Sequence, residues 1–373
     1  MSIPLSRPDL TEEDVKAVLS VLRSDRLSIG PKQQEFEETF ARLMELPHAV
    51  AVSSGTVGLH LALLSLGIRA GDEVIVPSFT FIAVANAIRF VGATPVFADI
   101  ELTTLNLDPR KVEEAITPRT RALLVVHTFG VPADMDAILS VAHKNGLLVI
   151  EDACEALGAE YQGKKVGALG DASVFAFYPN KQITTGEGGM LLTPHAEVAQ
   201  RCRALRNQGR YNSDEWLQHS IVGYNYRLSE IACALGCSQM ARLGSILSMR
   251  ESVAKRYDRR LRQDARLVLP PLALAEKRIS WFVYVVRLAD DFEQNHRDTI
   301  FHALASVGIG CARYFAPIHL QPAYRDMLPA QPLPVTEHVG RRTLALPFHN
   351  RLSEDEMDFV CQHLLSSLDQ MER

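Results

Sequence analysis

A chain of 373 residues, 47% of them hydrophobic, has enough apolar material for a large core, which excludes a disordered chain and leaves room for one large domain and a smaller one. Net charge is −5 at pH 7 with no Lys/Arg stripe or block, which argues against nucleic acid as a main partner. The six cysteines are scattered without a C-x-x-C pair and no apolar run approaches a membrane span, so the expectation is reduced thiols in a soluble, cytoplasmic protein with no membrane partner.

The opening MSIPLSRPDLTEED lacks an apolar signal region. Val15, Val18, Leu19 and Leu22 then fall at helix spacing, behind a capping-box-like Thr11 and Asp14. Phe36, Phe40, Leu43 and Met44 mark a second helix. After that, short β-rich runs alternate with helical stretches. The expected strands are Ala49–Ser53, Glu73–Val76, Thr94–Ala98, Ala122–His127, Leu147–Glu151, Ala172–Phe177 and Met190–Leu192. Helical patterns at Thr56–Leu66, Phe81–Val91 and Ala133–Lys144 lie between them. Repeated β-then-α units with nearly continuous apolar strands predict an α/β fold with a mostly parallel sheet covered on both faces. From about residue 195 long helices dominate, with Ile246, Val253, Tyr257 and Leu261 striping one of them. Cys233 and Cys237, four apart on a helix, read as core packing. Pro270-Pro271 breaks the chain. A strand at Trp281–Leu288, a helix at Phe292–Val307, a proline-rich loop from Pro317 to Pro334 and a last helix striped by Met357, Val360, Cys361 and Leu364 follow. This divides the chain into a large domain, 1–245, and a small α/β C-terminal domain, 246–373.

Four segments carry candidate chemistry. Lys181 follows the β-like run Ala172–Tyr178 and precedes a glycine-rich turn, Gly186-Glu187-Gly188-Gly189. A lysine at the end of an apolar strand is partly desolvated, which makes its neutral, nucleophilic amine easier to reach, and such an amine forms Schiff bases. Val52-Ser53-Ser54-Gly55-Thr56 leaves a strand and opens a helix, where free N–H groups and a Thr hydroxyl suit an anion; ordinary capping by Ser or Thr reads the same way. Leu147–Asp152 is an apolar strand ending in carboxylates. Pleat alternation sends Glu151 to the far face, so Asp152 is the one set to meet a ligand at the strand's carboxyl end, unless it merely caps a helix. Pro77-Ser78-Phe79-Thr80-Phe81 puts aromatics at another strand exit, for a flat ligand or for the core.

In this order, together with Gly30-Pro31, Glu35-Phe36-Glu37, the Glu151-Asp152-Ala153 and Ala156-Leu157-Gly158-Ala159 segments, Asn225-Tyr226-Arg227 and Pro317-Ile318-His319-Leu320-Gln321-Pro322, these motifs resemble the fold-type I, pyridoxal phosphate-dependent sugar aminotransferases of the DegT/StrS class over nearly the whole chain. The resemblance implies that Lys181 carries the Schiff base with the cofactor and then shuttles a proton. It implies that Asp152 pairs with the ring nitrogen, that Gly55 and Thr56 hold the phosphate and that Phe81 stacks on the ring. It also implies that Asn225 reaches a phosphate oxygen across a homodimer interface, giving shared active sites, and that Tyr314 and His319 line the sugar site. The implied reaction moves an amino group from L-glutamate to a nucleotide-linked keto sugar in polysaccharide or glycoconjugate synthesis. The NKQITTGEGG context most resembles the perosamine synthase branch, which aminates C4 of a GDP-linked keto sugar.

Two positions depart from the family. Ala176 stands where a serine hydroxyl usually meets the phosphate. Glu155 stands where Gln or His is usual near the ring hydroxyl, adding a second acid; two charged acids close together repel, so one of the pair is expected to titrate upward. Alternative readings are a sugar dehydratase or a lyase on the same fold, or a regulatory relative without catalysis. The dehydratases carry His in place of the lysine, and Lys181 argues against them. A nicotinamide enzyme is set aside because no G-x-G-x-x-G follows the first strand. No metal site is expected.

Overall fold

Thr11 and Asp14 do close a capping box: the Thr11 N–H donates to Asp14 Oδ2 at 2.8 Å and starts the helix Glu12–Leu22. The next helix, Pro31–Met44, opens on Gly30, which has no side chain to cap it. Its first free N–H groups, on Lys32 and Gln33, donate instead to the buried carboxylate of Glu230 at 2.7 and 2.8 Å. The Gly30-Pro31 motif thus needs a glycine, since a Cβ there would lie 2.6 Å from that carboxylate. The computed structural model from which these distances come describes residues 2–327, 329 and 331–371.

The alternating middle of the chain forms a seven-stranded sheet from β1 (His48–Val52), β2 (Glu73–Pro77), β3 (Thr94–Ala98), β4 (Thr120–Val126), β5 (Leu148–Asp152), β6 (Ala172–Ala176) and β7 (Gly189–Thr193). Their spatial order is β1-β7-β6-β5-β4-β2-β3. Pairings β2–β3, β2–β4, β4–β5 and β5–β6 are parallel, while β7 runs antiparallel to β1 and β6. The mostly parallel sheet anticipated from the sequence is present, with seven expected strands matched to within two residues at each end.

Side-chain alternation along these strands builds two cores. Val74, Val76, Leu124, Val126 and Val174 pack with Leu59, Val84, Ile88 and Val198 on one face. Ile75, Leu123, Val125, Val149 and Phe175 pack with Phe36, Phe40, Ile138 and Cys233 on the other. Burial on both faces explains why the strands read as continuous apolar runs rather than alternating ones. Each such aliphatic side chain contributes about 1.5–3 kcal/mol.

A second, antiparallel sheet, β8 (Leu267–Val268), β9 (Tyr284–Leu288) and β10 (Thr343–Leu346), lies in the C-terminal third. It shares a core with Tyr257, Leu261, Ile300, Leu304, Met357 and Leu364. Helix Leu243–Leu261 contributes to both regions: Leu243 and Ile246 pack in the central core, Val253, Tyr257 and Leu261 in the C-terminal one.

Three departures from the sequence reading have local causes. The helical region after residue 195 is interrupted from 207 to 229, because the Gln208 N–H goes to Tyr224 O and the Tyr226 N–H to Arg206 O instead of to a helical ladder. The expected strand from Trp281 begins only at Tyr284, since Ser280 is drawn onto the loop after β4, its N–H donating to Gly130 O at 3.0 Å. Gly130, at φ +83°, permits this: a Cβ would sit 1.7 Å from Ser280 O. Helix Pro334–Arg342 has no local cap; Asp99, far away in sequence, accepts from the Val335 and Thr336 N–H groups at 3.0 and 2.8 Å. The proline-rich loop before it contains Leu328 and Ala330, which fall outside the described residues. No described helix is long and apolar enough to cross a membrane.

Candidate active site

The carboxyl ends of β4, β5 and β6 open into a cavity of about 430 Å³, a size that suits a cofactor-sized ligand. Strand β5 delivers two adjacent carboxylates to opposite faces, as the pleat requires. Asp152 lines the cavity and is anchored by the Cys154 N–H, which donates to its Oδ1 at 3.0 Å. Glu151 is fully buried on the other side. It accepts from His127 Nε2 at 3.1 Å and from the N–H groups of Gly167, Leu169 and Gly170 at 2.8, 2.8 and 2.7 Å. Burial pushes the Glu151 carboxyl up, but the hydrogen bonds from His127, Gly167 and Gly170 outweigh it and hold the group below the usual range. Glu151 is an internal structural anion.

Opposite Asp152, Ser54 caps helix Gly55–Ser65 by accepting from the Val57 N–H at 3.2 Å. Gly55 and Thr56, at the first two helical positions, whose N–H groups have no intrahelical acceptor, line the cavity. Gly55 is required by close packing. A Cβ there would lie 2.8 Å from the Ala176 Cβ and 3.0 Å from Cys154 Sγ. This glycine-floored cradle, at the positive end of a helix, is shaped for an anionic group.

Lys181 lies beyond the end of β6, in a turn closed by its own N–H to Tyr178 O at 2.9 Å. Its Nζ sits 3.6 Å from Glu155 Oε1 and 4.0 Å from the centroid of the Phe282 ring. Glu155 is buried and also accepts from the Phe129 N–H at 2.8 Å. Burial raises the Glu155 carboxyl above its ordinary value and the charge of Asp152 adds to this, against the lowering effect of Lys181 and the Phe129 N–H. That is the direction expected for a second acid beside Asp152. Phe81, 61% exposed, and Tyr314 complete the set on this cavity. Tyr314 stacks on Phe315 with centroids 4.9 Å apart, and burial lifts its phenol.

The structure therefore gathers Gly55, Thr56, Phe81, Asp152, Glu155, Lys181 and Tyr314 around one space. It does not bring Asn225 or His319 there. Asn225 is exposed and bridged to Asn207. His319 is buried in a clip: its Nδ1 is 2.7 Å from Ser78 Oγ, and the Ser78 oxygen also accepts the His319 N–H at 3.1 Å. A hydroxyl has one donor and two lone pairs, so the Ser78–Nδ1 bond can run either way; Nε2 lies 3.7 Å from Glu337 Oε1. Burial lowers the basicity of this imidazole. His319 fastens the 317–320 segment to the exit of β2 rather than facing the cavity.

Several lining residues had no signal in the sequence. Phe282, which carries the lysine amine on its face, arrives from a segment a hundred residues downstream. Tyr178, Asn180 and Glu187 flank Lys181 in sequence, and that proximity is the one clue that would have found them.

A profile of the DegT/DnrJ/EryC1/StrS aminotransferase family matches residues 8–365. The chain belongs to this family. It is 42% identical over 374 residues to the GDP-perosamine synthase of Caulobacter vibrioides, covering 100% of this chain and 98% of that one. It is 39% identical over 372 residues to the spore coat polysaccharide biosynthesis protein SpsC of Bacillus subtilis, covering 96% and 95%. Among solved structures it matches the PLP-form of Spr1654 from Streptococcus pneumoniae with a TM-score of 0.94 at 28% identity, over 99% of each chain. The enzyme is thus an aminotransferase, and the lysine this cavity offers to such chemistry is Lys181.

Proposed function

We propose that this aminotransferase uses pyridoxal 5′-phosphate to move an amino group from L-glutamate to a nucleotide-linked keto sugar, with a 4-keto-6-deoxy hexose as the acceptor. The observation that carries the proposal is the convergence of Lys181, Asp152 and the Gly55–Thr56 cradle on one cavity of about 430 Å³. When bound, pyridoxal phosphate supplies an electrophilic carbonyl and a ring that takes up electron density as a substrate C–H bond breaks.

The residues present suit that group. The Gly55 and Thr56 N–H groups and the Thr56 hydroxyl would hold the phosphate, in a floor that a Cβ at position 55 would fill. Asp152 would hold a proton on the ring nitrogen by presenting a carboxylate to it. Phe81 would cover one face of the ring. Lys181 Nζ would anchor the carbonyl carbon and afterwards carry protons to and from substrate carbon. Glu155, raised by burial and 3.6 Å from that amine, is placed to hold a proton in the same space. Over the cycle the keto sugar exchanges its oxygen for the amino group and glutamate leaves as its 2-oxo acid.

The acceptor class is supported by the similarity to the Caulobacter GDP-perosamine synthase, 42% identical over the full chain. A homodimer with shared active sites extends the same reading. Asn225 is exposed in a loop ahead of helix Glu230–Ala241, free to serve a neighbouring copy. Aromatic surface near the cavity, Phe81 and Tyr178, is also exposed. The test is incubation of the purified protein with pyridoxal phosphate, L-glutamate and a panel of nucleotide-linked 3-keto and 4-keto sugars, with the product identified by mass spectrometry. An aminated 4-keto sugar and released 2-oxo acid are expected; no aminated product from any member overturns the acceptor assignment.

A further inference from the structure

Arg250, on helix Leu243–Leu261, is buried, and no carboxylate forms an ion pair with it among the described residues. Its guanidinium is spent on main-chain oxygens. Nε donates to Trp281 O at 2.8 Å, and Nη2 to Asn180 O at 3.1 Å and Phe282 O at 3.0 Å. Nη1 reaches Asn350 Oδ1 at 3.3 Å, and the group lies 5.3 Å over the Phe348 ring. A buried cation is costly to keep; the charge of Asp9, reached through Asn350, offsets part of that cost, and the hydrogen bonds of the guanidinium fix a geometry.

The segments it joins are those on either side of the lysine amine. Asn180 immediately precedes Lys181, and Phe282 supplies the ring beneath Nζ. On the other flank of Lys181, Gln182 Nε2 donates to Ser280 Oγ at 3.0 Å and Glu155 O at 2.7 Å. Residues 180–182 and 280–282 are therefore clamped at both ends, with Lys181 and Phe282 facing each other between. The planar fork of arginine can meet three carbonyls at once, which a lysine ammonium on a flexible stem cannot do in this plane.

We propose that Arg250 is a positioning residue for Lys181, holding the amine against the Phe282 face through the carbonyls of Asn180 and Phe282. A ring under a desolvated cation favours its protonated form. Losing that alignment therefore lowers the pH at which the lysine-linked group gives up its proton. This inference rests on the assignment of Lys181 as the residue that binds pyridoxal phosphate.

The experiment is a pH titration of the visible absorption band of protein loaded with pyridoxal 5′-phosphate, alongside thermal unfolding. Arg250→Lys and Phe282→Leu should each move the band's midpoint down by about one pH unit. The double variant should move it no further than the larger single shift. Asn350→Ala, which removes an Arg250 contact on the side away from the lysine, should lower the melting temperature without moving the midpoint. An Arg250→Lys variant that is less stable but titrates like the parent overturns the inference, as does additivity in the double variant. Should Arg250→Lys not fold, Arg250→Gln takes its place; failure of both shows a residue needed for the fold as a whole and overturns the inference too. The absence of any visible band in the parent protein would overturn the assignment of Lys181 itself, a distinguishable result.

Discussion

Glu151→Gln keeps the shape of the side chain and removes its charge, and its cost follows from the donors that surround it. Oε1 accepts the Leu169 and Gly170 N–H groups, Oε2 the Gly167 N–H and His127 Nε2. The tautomer of His127 is fixed, because its Nδ1 accepts the Ala133 N–H at 3.1 Å and its Nε2 must donate. Whichever way the amide is turned, its NH2 faces two donors. Two charge-assisted hydrogen bonds are lost at about 1.5–3 kcal/mol each, so the variant should lose about 3–6 kcal/mol of stability. Denaturant unfolding should show a lowered midpoint with an unchanged slope. Hydrogen exchange should show the amides of Leu169 and Gly170 losing protection if the NH2 takes the Oε1 position, or that of Gly167 if it takes the Oε2 position. The parent's stability also carries a pH signature. Because the folded state holds Glu151 below its ordinary value, this contribution is complete above that ordinary value and drains away as pH falls through it toward the folded one. The variant should lack that slope. The folded fraction should still turn over substrate, since Glu151 points away from the cavity. A loss below about 1 kcal/mol, or an unchanged acid limb, would refute the count of hydrogen bonds on which the estimate stands.

The remaining predictions concern the cavity. Lys181→Ala should abolish transamination and the visible band of added pyridoxal phosphate, and Lys164 and Lys165, in a separate hairpin, should not substitute; a retained band measured by absorption would refute the lysine assignment. Asp152→Asn should keep pyridoxal phosphate bound but slow turnover by about 100-fold or more, measured in single-turnover kinetics, and near-normal rates would make Asp152 structural. Ala176→Ser should tighten pyridoxal phosphate by about fivefold in a binding titration, the worth of one hydrogen bond of about 1 kcal/mol. Weaker binding would show that the space between Gly55 and Cys154 is already filled. Mixing inactive Lys181→Ala chains with inactive Asn225→Ala chains should restore activity on subunit exchange, because each mixed dimer has one site free of both changes; exchange without rescue argues against shared sites.

The parts of this enzyme that were legible in the sequence are those set by short-range physics. Strand positions followed from apolar runs buried on both faces, and the split roles of Glu151 and Asp152 followed from the two-residue period of a strand. Gly55 and Thr56 were legible because a helix start after a strand leaves free N–H groups whatever surrounds it. The parts that escaped are held by contacts between distant segments. Helix Pro31–Met44 is capped by Glu230, and helix Pro334–Arg342 by Asp99, so neither start shows its cap locally. Phe282 meets Lys181 only because Gly130 lets Ser280 approach and because Arg250 and Gln182 tie the two segments together.

His319 shows the same limit from the other direction. A histidine in a proline-rich loop reads equally well as a substrate ligand or as a fastener, and the choice depends on what waits at the loop's landing point. Here that is the Ser78 hydroxyl at the exit of β2, which bonds the imidazole Nδ1 at 2.7 Å and accepts the backbone N–H of the same residue. Its effect on chemistry is then indirect. The Ile318 N–H donates to Ser78 O at 2.9 Å, so the loop and the strand exit leading to Thr80 and Phe81 are bound at three points. The residues on the cavity wall owe their positions to polar groups that never face it. Arg250, Gln182 and Glu151 are each buried and satisfied mainly by backbone, and His319 is buried against the Ser78 hydroxyl; each is one step behind a wall residue or its loop. Holding a flexible amine over the Phe282 ring and beside the Glu155 carboxylate demands loops that do not move, and buried polar groups bonded to main chain supply that rigidity with a specificity that apolar packing alone lacks.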